Sequence, residues 1–199
     1  YLADFKFDGT IWAVPEGTPV FPYEPLVTVK GKLIEAQLLE TFLLVTINHQ
    51  SLIATKTHRI VQEAKGRPVM EFGARRAQGY DGATYGARAA YIGGAAGTAT
   101  VSAGKAFGIP VLGTMAHSFV QSFDTEYDAF KAYAEIYPDS CILLVDTYDT
   151  LKSGIPNAIR VAEEVLQPMG KTLAGIRIDS GDIAYLTKKA RMMLDVAGL

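Results

Sequence analysis

Three short apolar runs, at residues 109–112, 141–145 and 173–178, each give way to a loop crowded with reactive side chains. The junctions read Gly113-Thr114-Met115-Ala116-His117-Ser118, Asp146-Thr147-Tyr148-Asp149 and Arg177-Ile178-Asp179-Ser180-Gly181-Asp182. A helical pattern follows each one. Short runs with little alternation are what strands buried on both faces require. Strand, loop and helix repeating about every 30 residues leaves few folds open: a parallel sheet, either open or closed into a barrel. Both place ligands and chemistry at the carboxyl ends of the strands.

The rest of the chain frames this rhythm. Residues 1–32 are β-rich, with Ile11, Ala13, Val20 and Phe21 alternating around the turn Pro15-Glu16-Gly17 and a further strand over 26–29. Residues 33–66 turn helical, because Leu38, Leu39, Phe42, Leu43, Ile47, Leu52 and Ile53 recur at steps of three and four. Gly66-Arg67-Pro68 ends that stretch. Residues 67–199 then carry strands ending near Phe72, Val101, Leu112, Val145 and Ile178, with helices over 127–136, 157–166 and 183–196.

With 199 residues, 49% of them hydrophobic, the chain can build one sizeable core and a small second domain. A net charge of -2 gives no reason to expect nucleic acid or an anionic membrane as partner. No apolar stretch approaches the ~20 residues of a membrane span. The single cysteine, Cys141, lies inside an apolar run and reads as a core residue in a chain expected to be cytoplasmic. The chain starts at Tyr1 rather than Met, and both ends read as cut.

Several groups could carry chemistry. Glu71-Phe72-Gly73-Ala74-Arg75-Arg76 sets two arginines after a strand, suited to a phosphate or carboxylate, or to a solvated loop. Residues 93–100, including Thr98, are either a phosphate-cradling nest or a tight turn into a strand. Of three histidines, His49 and His58 fall in the helical stretch, whereas His117 ends a strand beside Thr114 and Ser118. His117 could be a general base, a metal ligand or a phosphoryl acceptor. No histidine spacing marks a resident metal, which leaves Mg²⁺ held by carboxylates and substrate phosphates. Asp146 directly follows an apolar strand and could orient His117, while Asp149 reads as a helix cap. Arg177 and Asp179 point the same way from one strand, and Ser180-Gly181-Asp182 opens a helix whose free N–H groups favour an anion. These readings lead to an α/β enzyme acting on a phosphorylated small molecule.

With the junctions in view, the chain resembles the nicotinate phosphoribosyltransferases, a family of type II phosphoribosyltransferases. Besides the three junctions, the resemblance rests on residues 13–19 (Ala-Val-Pro-Glu-Gly-Thr-Pro), 50–56 (Gln-Ser-Leu-Ile-Ala-Thr-Lys) and 71–77 (Glu-Phe-Gly-Ala-Arg-Arg-Ala). It implies an irregular parallel α/β barrel, here partial, joined to an α/β domain built mainly from the amino-terminal part. It further implies ATP-coupled transfer of phosphoribose from 5-phosphoribosyl-1-pyrophosphate (PRPP) to nicotinate, with Mg²⁺ accompanying PRPP and ATP. His117 would be the phosphorylated histidine, with Asp146 beside it. Arg75, Arg177 and Asp179 would bind substrate, together with Phe72, Gly73, Thr98, Ser180 and Gly181. A homodimer with a shared site is also implied, with a ring-stacking aromatic before Tyr1 and glycine-rich phosphate loops after Leu199. Nicotinamide phosphoribosyltransferases are the nearest alternative, but they read Asp-Phe-Gly-Tyr-Arg where this chain has Glu71-Phe72-Gly73-Ala74-Arg75. A non-catalytic relative of the fold is the alternative from outside the enzymes.

Overall fold

The computed structural model describes residues 2–199 and divides into two compact units, Tyr1–Gly113 and Thr114–Leu199. The division lies beyond the change of pattern near residue 66, because the long helix before that point packs along the helix after it.

The first unit opens with an antiparallel pair, β1 (Thr10–Ala13) and β2 (Val27–Lys30), with Thr10 opposite Lys30 and Ala13 opposite Val27. Val20 and Phe21 lie in the connecting loop rather than in a strand. Pro19, Pro22 and Pro25 withhold the backbone donors that a ladder there would need. Helix α1 (Leu33–Glu63) runs unbroken because it contains neither glycine nor proline. It stops where Lys65 and Gly66 turn left-handed, at φ of 50° and 83°.

Helix α2 (Gly79–Ile92) lies against α1 through small residues. A Cβ on Gly86 would sit 3.3 Å from Ile53 Cδ1, and one on Gly93 would sit 2.5 Å from the Ala54 carbonyl oxygen. Arg88 of α2 ties three segments together: its guanidinium donates to Glu16 Oε1 at 2.8 Å and to Gln50 Oε1 at 2.9 Å. The 13–19 and 50–56 stretches thus meet at one structural clamp.

Strand β3 (Met70–Glu71) pairs in parallel with β4 (Gly97–Thr98). Residues 109–112 contribute only a bridge, Val111 to Thr98. Val101, expected at a strand end, instead begins α3 (Val101–Phe107). The strand there is Gly97-Thr98, which apolar periodicity overlooks. Its glycine is needed for closeness, since a Cβ on Gly97 would meet the Pro110 carbonyl oxygen at 2.5 Å.

The second unit runs α4 (His117–Val120), α5 (Glu126–Ile136), β5 (Ile142–Leu144), α6 (Ile155–Val161), β6 (Gly175–Arg177) and α7 (Ile183–Val196). Single π-helical turns flank α6 on both sides, at Thr150–Gly154 and Ala162–Leu166. β5 and β6 are parallel, with Leu143 opposite Ile176 and Leu144 opposite Arg177. Val120, Phe130, Leu143, Leu144, Ile155 and Leu166 form a core with no exposed surface. The fold is α/β with parallel strand pairs. Among the described residues no closed barrel forms, and no helix is long and apolar enough to cross a membrane.

Candidate active site

The parallel ladder of β5 and β6 sets the geometry of the second unit's site. It continues one step past β5, where the Val145 N–H donates to the Arg177 carbonyl at 3.1 Å. Asp146 and the 179–180 segment therefore leave neighbouring strands side by side. The Asp146 side chain is 1% exposed. Its Oδ1 accepts from His117 Nε2 at 3.2 Å, while Oδ2 accepts from the Asp179 N–H at 3.0 Å and from Ser180 Oγ at 2.5 Å. Burial on its own would raise this carboxyl's pKa, but the hydrogen bonds from Ser180, the Asp179 backbone and His117 outweigh it and hold the group below the ordinary aspartate range.

The protonation state fixes the histidine's tautomer. An ionised carboxylate only accepts, so Nε2 is the His117 nitrogen that carries a proton toward Asp146, and Nδ1 lies outside that bond. His117 is the first residue of α4 rather than the end of a strand, and its side chain is 41% exposed. A half-open imidazole with one nitrogen pinned to a buried carboxylate has a fixed direction and can serve as a base or a nucleophile.

Arg177 is the last residue of β6. Its Nη1 donates to Thr114 Oγ1 at 2.6 Å and its Nη2 pairs with Asp179 Oδ2 at 3.0 Å. Thr114, at the first junction, is the group that sequence reasoning left out of the site; its position in a loop directly after an apolar run was the available signal. Asp149 caps the π-helical turn by accepting from the Leu151 and Lys152 N–H groups. The α7 end is less open than its sequence suggests. Asp182 accepts from the Tyr185 N–H at 3.0 Å, so a carboxylate already occupies part of that helix N-terminus. Gly181 makes the turn into it with φ of 77°.

In the first unit the candidates gather around Glu71, a residue the sequence did not mark. Glu71 Oε1 accepts from the Gly73 N–H at 2.5 Å and Oε2 accepts from Thr98 Oγ1 at 2.6 Å. Thr98 is wholly buried, and its hydroxyl also accepts from the Thr100 N–H at 2.9 Å. Its hydroxyl thus braces the loop ends of two strands. Phe72 and Arg75 are exposed beside this brace. Elsewhere His49 donates from Nε2 to the Gly82 carbonyl at 3.2 Å, a packed helical histidine, and His58 is exposed. Among the described residues no three His, Cys, Asp or Glu side chains gather as metal ligands.

Residues 1–48 match the nicotinate phosphoribosyltransferase (NAPRTase) N-terminal domain, and residues 68–195 match the nicotinate phosphoribosyltransferase (NAPRTase) family. The chain belongs to the nicotinate phosphoribosyltransferase family. It is 50% identical over 199 residues to a nicotinate phosphoribosyltransferase of Mycobacterium tuberculosis, covering 100% of this chain and 42% of that protein. It is 55% identical over 187 residues to the nicotinate phosphoribosyltransferase of Bacillus subtilis, covering 94% and 38%. The crystal structure of human nicotinic acid phosphoribosyltransferase superposes with a TM-score of 0.87 at 33% identity, over 96% of this chain and 47% of that one. A nicotinate-nucleotide pyrophosphorylase from Pyrococcus furiosus gives 0.85 at 30% identity, over 96% and 49%. The chain thus spans less than half the length of these family relatives.

Proposed function

We propose that this protein transfers phosphoribose from PRPP to nicotinate, giving nicotinate mononucleotide and pyrophosphate, and that ATP drives the transfer through a phosphate carried on His117. The observation that carries the reading is the Asp146–His117 pair, together with membership of the family. The Nε2–H is committed to Asp146, so Nδ1 attacks the γ-phosphorus of ATP and ADP leaves. Water later takes the phosphoryl group, releasing phosphate and restoring the imidazole. Asp146 stabilises the positive charge that the ring gathers during the attack.

The ribose chemistry needs no protein nucleophile. The bond from C1′ to pyrophosphate breaks as the nicotinate ring nitrogen closes on C1′, so the protein contributes position and charge. Arg177, held by Thr114 and Asp179, offers a fixed guanidinium to an anion, and in the first unit Arg75, with Phe72 and Gly73, forms a separate set suited to an anion. Mg²⁺ arriving with PRPP and ATP would neutralise charge on the departing pyrophosphate. Asp179, 32% exposed, is the carboxylate of this group open to it. The same reading makes the working enzyme a homodimer with a shared site, which equilibrium sedimentation of the full-length protein checks.

The test uses the full-length protein with γ-³²P-ATP. We expect acid-labile, base-stable label on the wild type and none on His117→Ala, which should keep a weak, ATP-independent turnover with a raised PRPP KM. Assays with nicotinate and nicotinamide side by side should show turnover only with the acid. Label retained in the alanine variant, or a preference for the amide, overturns the reading.

A further inference from the structure

The π-helical turn Thr150–Gly154 follows the Asp146 loop and folds back onto the end of β5. A Cβ on Gly154 would lie 1.8 Å from the carbonyl oxygen of Val145, the residue that delivers Asp146. Backbone therefore presses on backbone, and no other residue fits. Gly154 has ordinary right-handed helical angles, φ -57° and ψ -56°, so closeness rather than backbone freedom is what demands the glycine. The turn is closed by the Asp149 carbonyl, which accepts from both the Ser153 and Gly154 N–H groups at 2.9 Å. π-Turns are rare and concentrate at functional sites.

What anchors this turn is a buried carboxylate outside the site. Glu126, the first residue of α5, is 4% exposed. Its Oε2 accepts from Ser153 Oγ at 2.5 Å and from Asn157 Nδ2 at 3.2 Å, across 27 and 31 residues of sequence. Its Oε1 has no protein partner. Helix α5 needs no such group for its own sake, since Thr125 already caps it by accepting from the Asp128 N–H. A first-turn glutamate would also satisfy the helix dipole from the surface. A buried carboxylate with an unpaired oxygen is costly and calls for a reason.

We infer that Glu126 is a positioning residue: through Ser153 it holds the π-turn against Val145 and thereby sets where Asp146 meets the His117 ring. This rests on the reading of Asp146 and His117 as the working pair. The chain of contacts runs from Glu126 to Ser153, from Gly154 to Val145, and from Asp146 to His117.

Glu126→Gln keeps an acceptor oxygen for Ser153 and Asn157, whereas Glu126→Ala removes it and Ser153→Ala removes the donor. All three are made in the full-length protein, with unfolding midpoints recorded so that effects are compared at temperatures where each is folded. The first readout is the long-range ¹H–¹⁵N spectrum of the His117 ring, which reports its Nε2 hydrogen bond independently of turnover. The second is phosphate incorporation from ATP, with kcat and KM for PRPP. We expect Glu126→Ala and Ser153→Ala to shift the ring signals and to lower incorporation about tenfold, the scale of one displaced hydrogen bond to a charged group. Glu126→Gln should restore both. If Glu126→Ala unfolds, Ser153→Ala carries the test. Lowered midpoints with unchanged ring signals would reduce Glu126 to a packing role and overturn the proposal. A wild type that takes no phosphate, while its His117 ring signals still respond to Glu126→Ala, would sink the phosphoryl reading and leave the positioning intact.

Discussion

Three donors converge on Asp146, and together they reverse what burial would do to it. The folded chain binds this carboxyl's proton less readily than the unfolded chain does. Its stabilising contribution is therefore complete above the ordinary aspartate value of about 4 and is lost as pH falls through the depressed folded value. Asp146→Asn should be less stable than wild type at neutral pH and should lose less on acidification. Urea midpoints stepped from about pH 6 to pH 3 measure this, and parallel curves for the two proteins would remove Asp146 as a source of the pH dependence. Asp146 and Asp179 were legible in the sequence because polar residues directly after apolar runs have few structural excuses; Arg177 stood out as a charge inside such a run, and His117 as the histidine in the junction beyond one. Glu71 and Glu126 were not legible: each works through a partner 27 residues away, and local pattern carries no trace of such pairs.

At the level of elements, close approach decides more than hydrophobicity does. α2 meets α1 through glycine and alanine, so the contact is set by what is missing from the side chains. Two glycines of this region make opposite predictions. Gly93→Ala drives a methyl group into the Ala54 carbonyl and should cost about 1–3 kcal/mol, as overpacking does. Gly82→Ala meets nothing closer than His49 Cε1 at 4.0 Å, and in a helix interior it should stabilise by up to about 1 kcal/mol. Urea denaturation of both variants checks the signs, and the same sign for both would refute the packing account. This is also why the helices were easier to read than the strands. α7 spans Ile183–Val196, as its periodicity indicates, and α1 is one helix because nothing breaks it. β4 is two small residues, and the 109–112 run adds only a bridge, because neighbouring backbone rather than apolar content made those segments extended.

Across the whole molecule, the two units differ in how they meet water. Phe42, Leu44, Val45 and Leu52 of α1 are all more than half exposed, a row of apolar side chains that a solitary domain seldom keeps. The second unit encloses a buried apolar centre, and Cys141 sits within it at 0% exposure. Burial pushes that thiol's pKa up to about 11, so in the closed state it is both unreachable and protonated. The sequence contains no other cysteine. A thiol reagent can therefore react only while the region around β5 is open, and the rate of alkylation counts those openings. Under conditions where closing outpaces reaction, that rate follows the free energy of opening. We expect alkylation at neutral pH to accelerate with urea along the slope of the unit's equilibrium unfolding; a rate indifferent to urea would mean that small local fluctuations admit the reagent. The lone thiol next to β5 thus serves as a built-in clock for how often the strand that presents Asp146 comes apart.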